Sequence, residues 1–399
     1  MIESKSLPWS SHRSRSLLLV LALGWAPAAA AEGVMDTLQL HGFLSQAYVV
    51  SDHNDFFGPS SSSGGSLKYT EIGANASIRP RHDILLAAQV LSRRAGGDGS
   101  DARPALDYGV IDYQPFSNQQ RTLGIQLGRF KNPFGFYNQT RDVAFTRPSI
   151  LLPQSIYFDR TRSLGLSADG VSVYAEERLP HGTLRFIGGV GVPTTRDLDS
   201  QLYPAQLGVN VSGSTSSIGQ IRYEHSGGNF TAAISAADVN LDLELGPNEG
   251  QLNFQPWILS LQYDKEHWAL TGEFALRSVS TTDTGPLPSS EVTGESWYVQ
   301  YTRRFLDDWQ WLVRYDSLVS DRNDRSGQSF EAQGRGPAHT RFADDITVGL
   351  QWRVNPRVLL AAEYHHVNGT GWLPLRDEPD PTDTRQRWNM LLFQLSLRF

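Results

Sequence analysis

The chain of 399 residues contains no cysteine and only four lysines. Without cysteine it has no disulfide framework, no thiol nucleophile and no thiolate metal ligand. Arginine carries almost all of the positive charge, and its planar fork of donors suits anions. The formal net charge of −7 argues against a nucleic-acid partner, which requires clustered basic residues.

Long apolar runs are also missing. No stretch reaches the roughly 18 apolar residues that a membrane-spanning helix needs. Residues 17–25 are apolar, but they are too few, and they follow the basic residues Lys5, Arg13 and Arg15 and precede alanines 28–31. This order predicts a secretory signal peptide over residues 1–31 and a mature protein over residues 32–399.

What is present is a period of two, seen most clearly in residues 391–399 (LLFQLSLRF). Leu391, Phe393, Leu395, Leu397 and Phe399 are large and apolar, and most residues between them are polar. A period of two places one apolar and one polar face on a β-strand. A last strand that ends on phenylalanine resembles the C-terminal signal of outer-membrane barrels. The alternative is an edge strand of a soluble β-sandwich.

The same alternation predicts sixteen strands, most of them about ten to fourteen residues long, which is the length that a tilted strand needs to cross a bilayer. They lie near residues 37–50, 66–79, 83–94, 105–115, 121–130, 164–177, 182–192, 216–225, 229–240, 254–265, 267–279, 293–304, 309–319, 342–353, 356–367 and 386–399.

The predicted connections alternate between short turns and long loops, as in outer-membrane barrels. The long loops lie near residues 51–65, 95–104, 131–163, 193–215, 241–253, 280–292, 320–341 and 368–385. A sandwich has no reason to separate loop lengths in this way. We therefore predict an all-β fold, a 16-stranded antiparallel transmembrane β-barrel, with large aromatic residues near the strand ends as an interfacial girdle.

The first five predicted strands alternate less cleanly. Residues 73–77 (GANAS) are small throughout, and residues 84–88 (ILLAA) are apolar on both faces. A wall of small residues suits protein contact better than lipid contact. We expect these strands to form a subunit interface.

The connection over residues 131–163 exceeds thirty residues, and such length indicates function or disorder. It is too rich in aromatic and apolar residues, among them Phe134, Tyr137 and Tyr157, to be disordered. We expect it to pack against the inner wall of the barrel and form a constriction.

In this region the chain resembles the Gram-negative porins, whose third external loop folds into the lumen. Residues 128–135 (GRFKNPFG), Arg141, residues 145–148 (FTRP), Arg160 and Arg162 look like the phosphate-selective porin group. The resemblance implies a water-filled channel, a homotrimer in outer-membrane lipid, and passive diffusion of small hydrophilic solutes. The scarcity of lysine departs from that group, so no phosphate-binding residues are transferred.

The segment 131–163 is net basic, and basic rings at a constriction favour anions such as phosphate. The alternative is that its arginines pin the segment to the wall through carboxylates, including local ties between Arg141 and Asp142 and between Asp159 and Arg160. The expected constriction residues are Lys131, Arg141, Arg147, Arg160, Arg162, Asp142 and Asp159. The expected charged residues of the lumen wall are Arg222, Arg277, Arg304, Arg314, Arg353, Glu273, Asp316 and Glu363.

The sequence contains no recognisable enzyme motif, so we predict no catalytic residues, no metal site and no cofactor. The adjacent His365 and His366 point to opposite faces of a strand and cannot share one metal. Two alternatives for the barrel stay open. One is a plugged structural or adhesive barrel, and the other is an outer-membrane barrel hydrolase.

Overall fold

A computed structural model describes residues 33–62, 64–96, 102–196, 198–203, 207–282 and 289–399. The predicted signal peptide lies outside the described residues and stays a prediction.

Most of the described residues lie in β-strands. Its strands are β1 (Gln39–Ser51), β2 (Ser66–Arg81), β3 (Ile84–Ala95), β4 (Ala105–Ser117), β5 (Arg121–Lys131), β6 (Ser167–Leu179), β7 (Gly182–Pro193), β8 (Val209–Gly213), β9 (Ser216–His225), β10 (Phe230–Leu245), β11 (Asn248–Lys265), β12 (Trp268–Thr281), β13 (Ser290–Phe305), β14 (Trp309–Val319), β15 (Phe342–Asn355), β16 (Val358–Gly369) and β17 (Arg387–Arg398).

These strands form one closed antiparallel sheet. β8 and β9 lie end to end along β10, with residues 214–215 between them, so that they act as one strand of the wall. The wall therefore has sixteen strands, as predicted. β17 pairs with β1, and Phe399 and Gly42 exchange backbone hydrogen bonds of 3.0 and 3.1 Å at this closure. Closure satisfies the edge groups that lipid would leave unpaired.

The two faces differ as the period of two requires. On β17, Phe393 is 47% exposed and faces outward, whereas its neighbours Leu392 and Gln394 are 0% and 5% exposed and face inward. On β15, Ile346, Val348 and Leu350 are exposed in the same way. The apolar outer face fits a bilayer, and the predicted fold class is confirmed.

Aromatic rings form contacts at two levels of the outer face. Trp309 and Trp352 stack 5.1 Å apart near the short turns. Trp297 and Tyr315 lie 5.3 Å apart further toward the long loops. Aromatic rings at two levels are typical of the belts that anchor a barrel at both membrane interfaces.

Short turns join β2 to β3, β4 to β5, β6 to β7, β9 to β10, β11 to β12, β13 to β14 and β15 to β16, as the predicted alternation requires. One predicted long loop is wrong. Residues 241–253 are not a loop, because β10 and β11 continue through them and meet at a tight turn of residues 246–247, where Gly246 takes a positive φ of 60°. This hairpin extends the wall on the long-loop side.

Within the described residues the helices are short. They include the α-helices Arg162–Leu166, Leu198–Leu202 and Gln328–Ala332 and the 3-10 turns Ala144–Thr146, Ser226–Gly228, Ala338–Arg341 and Pro381–Asp383. Among the described residues, no helix has the length and apolar character to cross a membrane.

The largest hydrophobic cluster lies on the inner side of the wall. Inner-face residues such as Tyr69, Leu318 and Met390 pack there with residues of three connections. Those contributed by the connections include Phe56, Phe57, Ile150, Leu151 and Trp372. These connections therefore cover part of the inner wall.

Candidate functional site

The segment 131–163 leaves the wall at the end of β5 and has no strand of its own. Pro133, Pro148 and Pro153 remove backbone donors that a strand would need. Gly135 has a positive φ of 60°, and a Cβ there would collide with the Tyr157 hydroxyl. The segment is held instead by contacts with charged side chains of the wall.

The first contact is a buried ion pair with β2. Arg147 Nη2 lies 2.9 Å from Glu71 Oε2, and the two side chains are 3% and 0% exposed. Arg147 also donates to the Tyr69 hydroxyl at 3.2 Å. Burial lowers the pKa of Arg147, but Glu71 and Tyr69 outweigh it and raise that pKa above its ordinary value. Arg147 is therefore an anchor with its charge already compensated.

Asp142 is the centre of the second contact. Lys131 and Arg162 both pair with its carboxylate, and Lys131 Nζ also lies 2.7 Å from Asp107 Oδ2 on β4. Burial opposes the Asp142 carboxylate, but Lys131 and Arg162 outweigh it and hold the pKa of Asp142 well below its ordinary value. Three of the expected constriction residues are thus bound to one another, and Asp107 supplies the second negative charge opposite Lys131 and Arg162.

Glu273 on β12 makes the third contact. Its carboxylate accepts from the Tyr157 hydroxyl at 2.7 Å and from the backbone N–H of Phe136 at 2.9 Å. The neighbouring N–H of Gly135 donates to Ser235 Oγ on β10 at 3.1 Å. These bonds hold both ends of the segment's aromatic part against the wall.

The fourth contact involves residues 149–151. The N–H groups of Ile150 and Leu151 donate to the Glu363 carboxylate on β16, the second at 3.1 Å. Arg314 on β14 donates to the Leu151 carbonyl at 3.1 Å and to Ser149 Oγ at 3.2 Å. Two wall residues of opposite charge therefore form hydrogen bonds with residues 149–151.

The local ties considered from the sequence are wrong. Asp142 pairs with Lys131 and Arg162 rather than with Arg141. Asp159 reaches Arg93 on β3, with an N–O distance of 2.5 Å, rather than Arg160. The reason is that each carboxylate points to charges brought close by the fold and not to its neighbour in sequence.

Arg141 and Arg160 are the two loop arginines with weak compensation. Arg141 is 4% exposed and lies 4.0 Å from Asp159, and burial together with Arg162 lowers its pKa to about 9. Arg160 donates to the Gln201 carbonyl at 2.9 Å, and burial together with Arg341 lowers its pKa to about 10. Among the described residues, no carboxylate oxygen lies within 4.0 Å of Arg160.

The expected wall residues fall into three groups. Arg314, Glu273, Asp316 and Glu363 face inward and are at most 3% exposed. Arg222 and Arg277 are half-buried inside, and Arg222 pairs with Glu224 at 2.8 Å. Arg304 and Arg353 lie near the short turns, where Arg304 pairs with Asp264 at 2.5 Å and Arg353 is exposed.

A cavity of about 150 Å³ lies beside residues 159–167. Arg93, Arg129 and Arg162 in its lining are ion-paired, whereas Arg160 and the exposed Arg196 have no carboxylate within 4.0 Å among the described residues. Its charged lining consists of Arg93, Arg129, Arg160, Arg162, Arg196, Arg376, Asp107 and Asp159. Six arginines against two aspartates make this lining rich in positive charge.

Sequence reasoning missed most of this lining. Arg93 and Asp107 lie near the ends of β3 and β4. The period of two along these strands was the signal that could have placed both side chains on the inner face. Arg196 and Arg376 lie in connections, where no period reveals which way a side chain points. Only Arg160, Arg162 and Asp159 belong to the set expected from sequence.

The two histidines behave as predicted. His365 is 1% exposed and lies 2.7 Å from Asp345 Oδ2, whereas His366 is exposed on the other face. The Asp345–His365 pair is buried. No group of three or more potential metal ligands occurs in the part of the chain that the structure describes.

No protein-family model and no curated protein sequence matches the chain. Several solved structures do. The anion-selective porin from Comamonas acidovorans is similar, with a TM-score of 0.57 and 11% identity over 91% of this chain and 99% of that one.

Two other similar structures are outer-membrane proteins. The channel DcaP of Acinetobacter baumannii has a TM-score of 0.56 and 13% identity over 91% of this chain and 97% of that one. OmpT of Vibrio cholerae, in a trimer form, has a TM-score of 0.54 and 9% identity over 91% and 99%. At these identities the likeness concerns the fold alone. The chain has the fold of the outer-membrane porins.

Proposed function

We propose that the protein is a porin in the outer membrane of a Gram-negative bacterium, and that small hydrophilic solutes diffuse passively through it, anions ahead of cations. A closed sheet with an apolar outer face removes the hydrocarbon barrier without exposing backbone to lipid. No covalent chemistry is involved. Pore width and lumen charge then decide what passes.

The segment 131–163 narrows the lumen in this proposal. It bonds to Glu71 on β2 and to Ser235 on β10, which are nearly opposite in the order of strands around the barrel. Both wall residues face inward. A segment tied to opposite sides of a closed wall crosses the space between them.

The observation that carries the anion preference is the arginine-rich cavity beside residues 159–167. Positive charge at a narrow, low-dielectric passage raises the local concentration of anions. In the lining of this cavity Arg93, Arg129 and Arg162 are paired with carboxylates, so the preference depends on Arg160 and Arg196. Phosphate belongs to the anion class that such a site accepts, and the resemblance of residues 128–135 to the phosphate-selective group supports it as a test solute.

A plugged structural barrel is the second candidate. It is favoured by the burial of inner-wall residues, since Glu273, Glu363 and Arg314 are at most 3% exposed. The two candidates differ in permeability. Liposomes containing the folded protein should swell in an isotonic solution of a small neutral sugar if the protein is a porin. Swelling no faster than in protein-free liposomes would reject the porin and favour the plugged barrel.

We further propose that the porin is a homotrimer joined through the outer face of β2 to β5. A shallow groove of about 470 Å³ on this face is lined by small and aliphatic residues such as Ala76, Ala88 and Gly109. Small residues allow two barrels to approach closely, and lipid contact gives them little. The trimer form of the similar Vibrio cholerae protein supports this assembly.

A further inference from the structure

A second cavity, of about 320 Å³, lies between the end of the segment 131–163 and the long-loop ends of β10 to β14. It adjoins the arginine-rich cavity, because Arg160 lines both. Its lining combines a mostly apolar wall with three arginines. That combination is unusual for an inner wall that was expected to be wet.

The apolar wall comes from the hairpin of β10 and β11 and its neighbours. Leu241 and Leu252 are 0% and 9% exposed and face inward, and Leu318 on β14 is 1% exposed. Leu241 and Leu252 pack with Leu164 and Leu202. Phe254 and Val279 complete this side of the cavity. A solute here contacts hydrocarbon rather than water-binding groups.

The cationic side consists of Arg160, Arg277 and Arg341. Arg277 Nε is buried and has no hydrogen-bond partner among the described residues, and its guanidinium lies 4.7 Å from the centre of the Phe158 ring. The Arg341 guanidinium lies 4.6 Å from the Phe330 ring centre. Within the described residues none of the three has a carboxylate oxygen within 4.0 Å, and the lining contains no acidic residue.

This arrangement leaves positive charge without a counter-charge in a partly desolvated place, which costs free energy. Arg160 and Arg341 also repel each other. Burial and, second, the charge of Arg341 lower the pKa of Arg160. Burial and the charge of Arg335 lower the pKa of Arg341, and Asp321 and Asp324 offset this only in part. An anion in the cavity would supply the missing charge and the missing acceptor for Arg277.

We propose that this cavity is a binding site for organic anions that carry a carboxylate on an apolar body. The carboxylate meets the three guanidinium groups, and the apolar body replaces water against Leu241, Leu252 and Phe254. Inorganic anions have no group that gains from the apolar wall. The inference rests on the proposed channel function, since it names the solute class that the passage would favour.

Block of the chloride current by benzoate and by acetate tests the proposal. Each anion is added to the long-loop side of single channels in a planar bilayer. Because benzoate adds a phenyl ring that the apolar wall covers, its half-blocking concentration should be about tenfold lower than that of acetate. Equal half-blocking concentrations would overturn the proposal.

Variants separate the two sides of the cavity. Phe254→Ala should weaken block by benzoate and leave block by acetate unchanged, whereas Arg277→Gln should weaken both. Arg277→Gln removes a buried charge that has no carboxylate oxygen within 4.0 Å among the described residues. Arg357→Gln, which removes an exposed charge beside a short turn, is the matched control and should change neither. Block insensitive to both test variants would refute the site.

The inference and the channel can fail separately. If the folded barrel passes no chloride current, the channel function is wrong. Equilibrium dialysis of benzoate and of acetate against the protein in detergent then still decides the inference. Binding of benzoate tighter than acetate, lost in Phe254→Ala, supports the site, and equal binding rejects it.

Discussion

Replacement of Arg147 by methionine tests whether the segment 131–163 is held by its ion pair with β2. The Arg147–Glu71 pair is buried, with an N–O distance of 2.9 Å. Methionine fills most of the space but leaves Glu71 without this partner. Loss of one partner of a buried pair costs ~3–5 kcal/mol. Since Glu71 keeps Arg93 at 3.0 Å, we expect a loss at the lower end, about 3 kcal/mol.

The assay is urea unfolding in detergent micelles, followed by tryptophan fluorescence. Arg325→Met is the matched control, because it breaks an exposed pair with Glu295 at the same distance of 2.9 Å. Exposed pairs contribute about 0–1 kcal/mol, so the control should unfold close to the wild type. The double variant Glu71→Gln/Arg147→Met should lose less than the sum of the two single changes.

Arg147→Met should also change the single-channel current. With one anchor lost, the segment between Tyr137 and Tyr157 keeps its bonds to Glu273 and Glu363 but gains freedom near Arg147. We expect a larger and noisier single-channel current. An Arg147→Met protein that is as stable as Arg325→Met, with an unchanged current, would refute the anchoring.

Three further predictions concern charge selectivity, stability at low pH and assembly. Arg160→Gln should shift the reversal potential in a KCl gradient toward the equilibrium potential of potassium, and Arg357→Gln should leave it unchanged. Because the folded pKa of Asp142 is depressed, its contribution to stability should persist down to its ordinary pKa of 3.8 and be lost below it. The urea concentration at the midpoint of unfolding should therefore fall more steeply below about pH 4 in the wild type than in Asp142→Asn. A tryptophan at Ala88 should dissociate the oligomer in native mass spectrometry, whereas an intact oligomer would move the interface elsewhere.

The wall was predictable because its physics is local. A period of two marks each strand, and sixteen strands follow from it without knowledge of any contact. The one missed hairpin carried the same signal. Leu241, Leu243 and Leu245 alternate with Asp242 and Glu244, and Gly246 and Pro247 form the turn. The strands that it extends are long enough to cross a bilayer without it, so bilayer thickness does not predict the extension.

The site was less predictable because its partners are distant in sequence. The basic residues of the segment 131–163 stand out by type, but the carboxylates that bind it come from β2, β12 and β16. Glu71, Glu273 and Glu363 each look like an ordinary polar residue on a strand. Only closure of the sheet brings them to one interior, where Glu71 pairs with Arg147, so that Arg147 is an anchor while Arg160 keeps its proposed role in selectivity.

The part of the inner-wall cover that comes from the connections after β1 and β16 was beyond sequence reasoning. Phe56 and Trp372 lie in connections about three hundred residues apart, and their rings meet 5.2 Å from each other. Irregular segments have no period to show which side chains turn inward. Their apolar composition signals packing, but not against what.

Planar-bilayer recording in a KCl gradient tests the central claim most directly. The folded barrel should give stepwise openings, and its reversal potential should have the sign of chloride preference. A correctly folded barrel that gives no steps, or a reversal potential of the opposite sign, would contradict an anion-favouring channel.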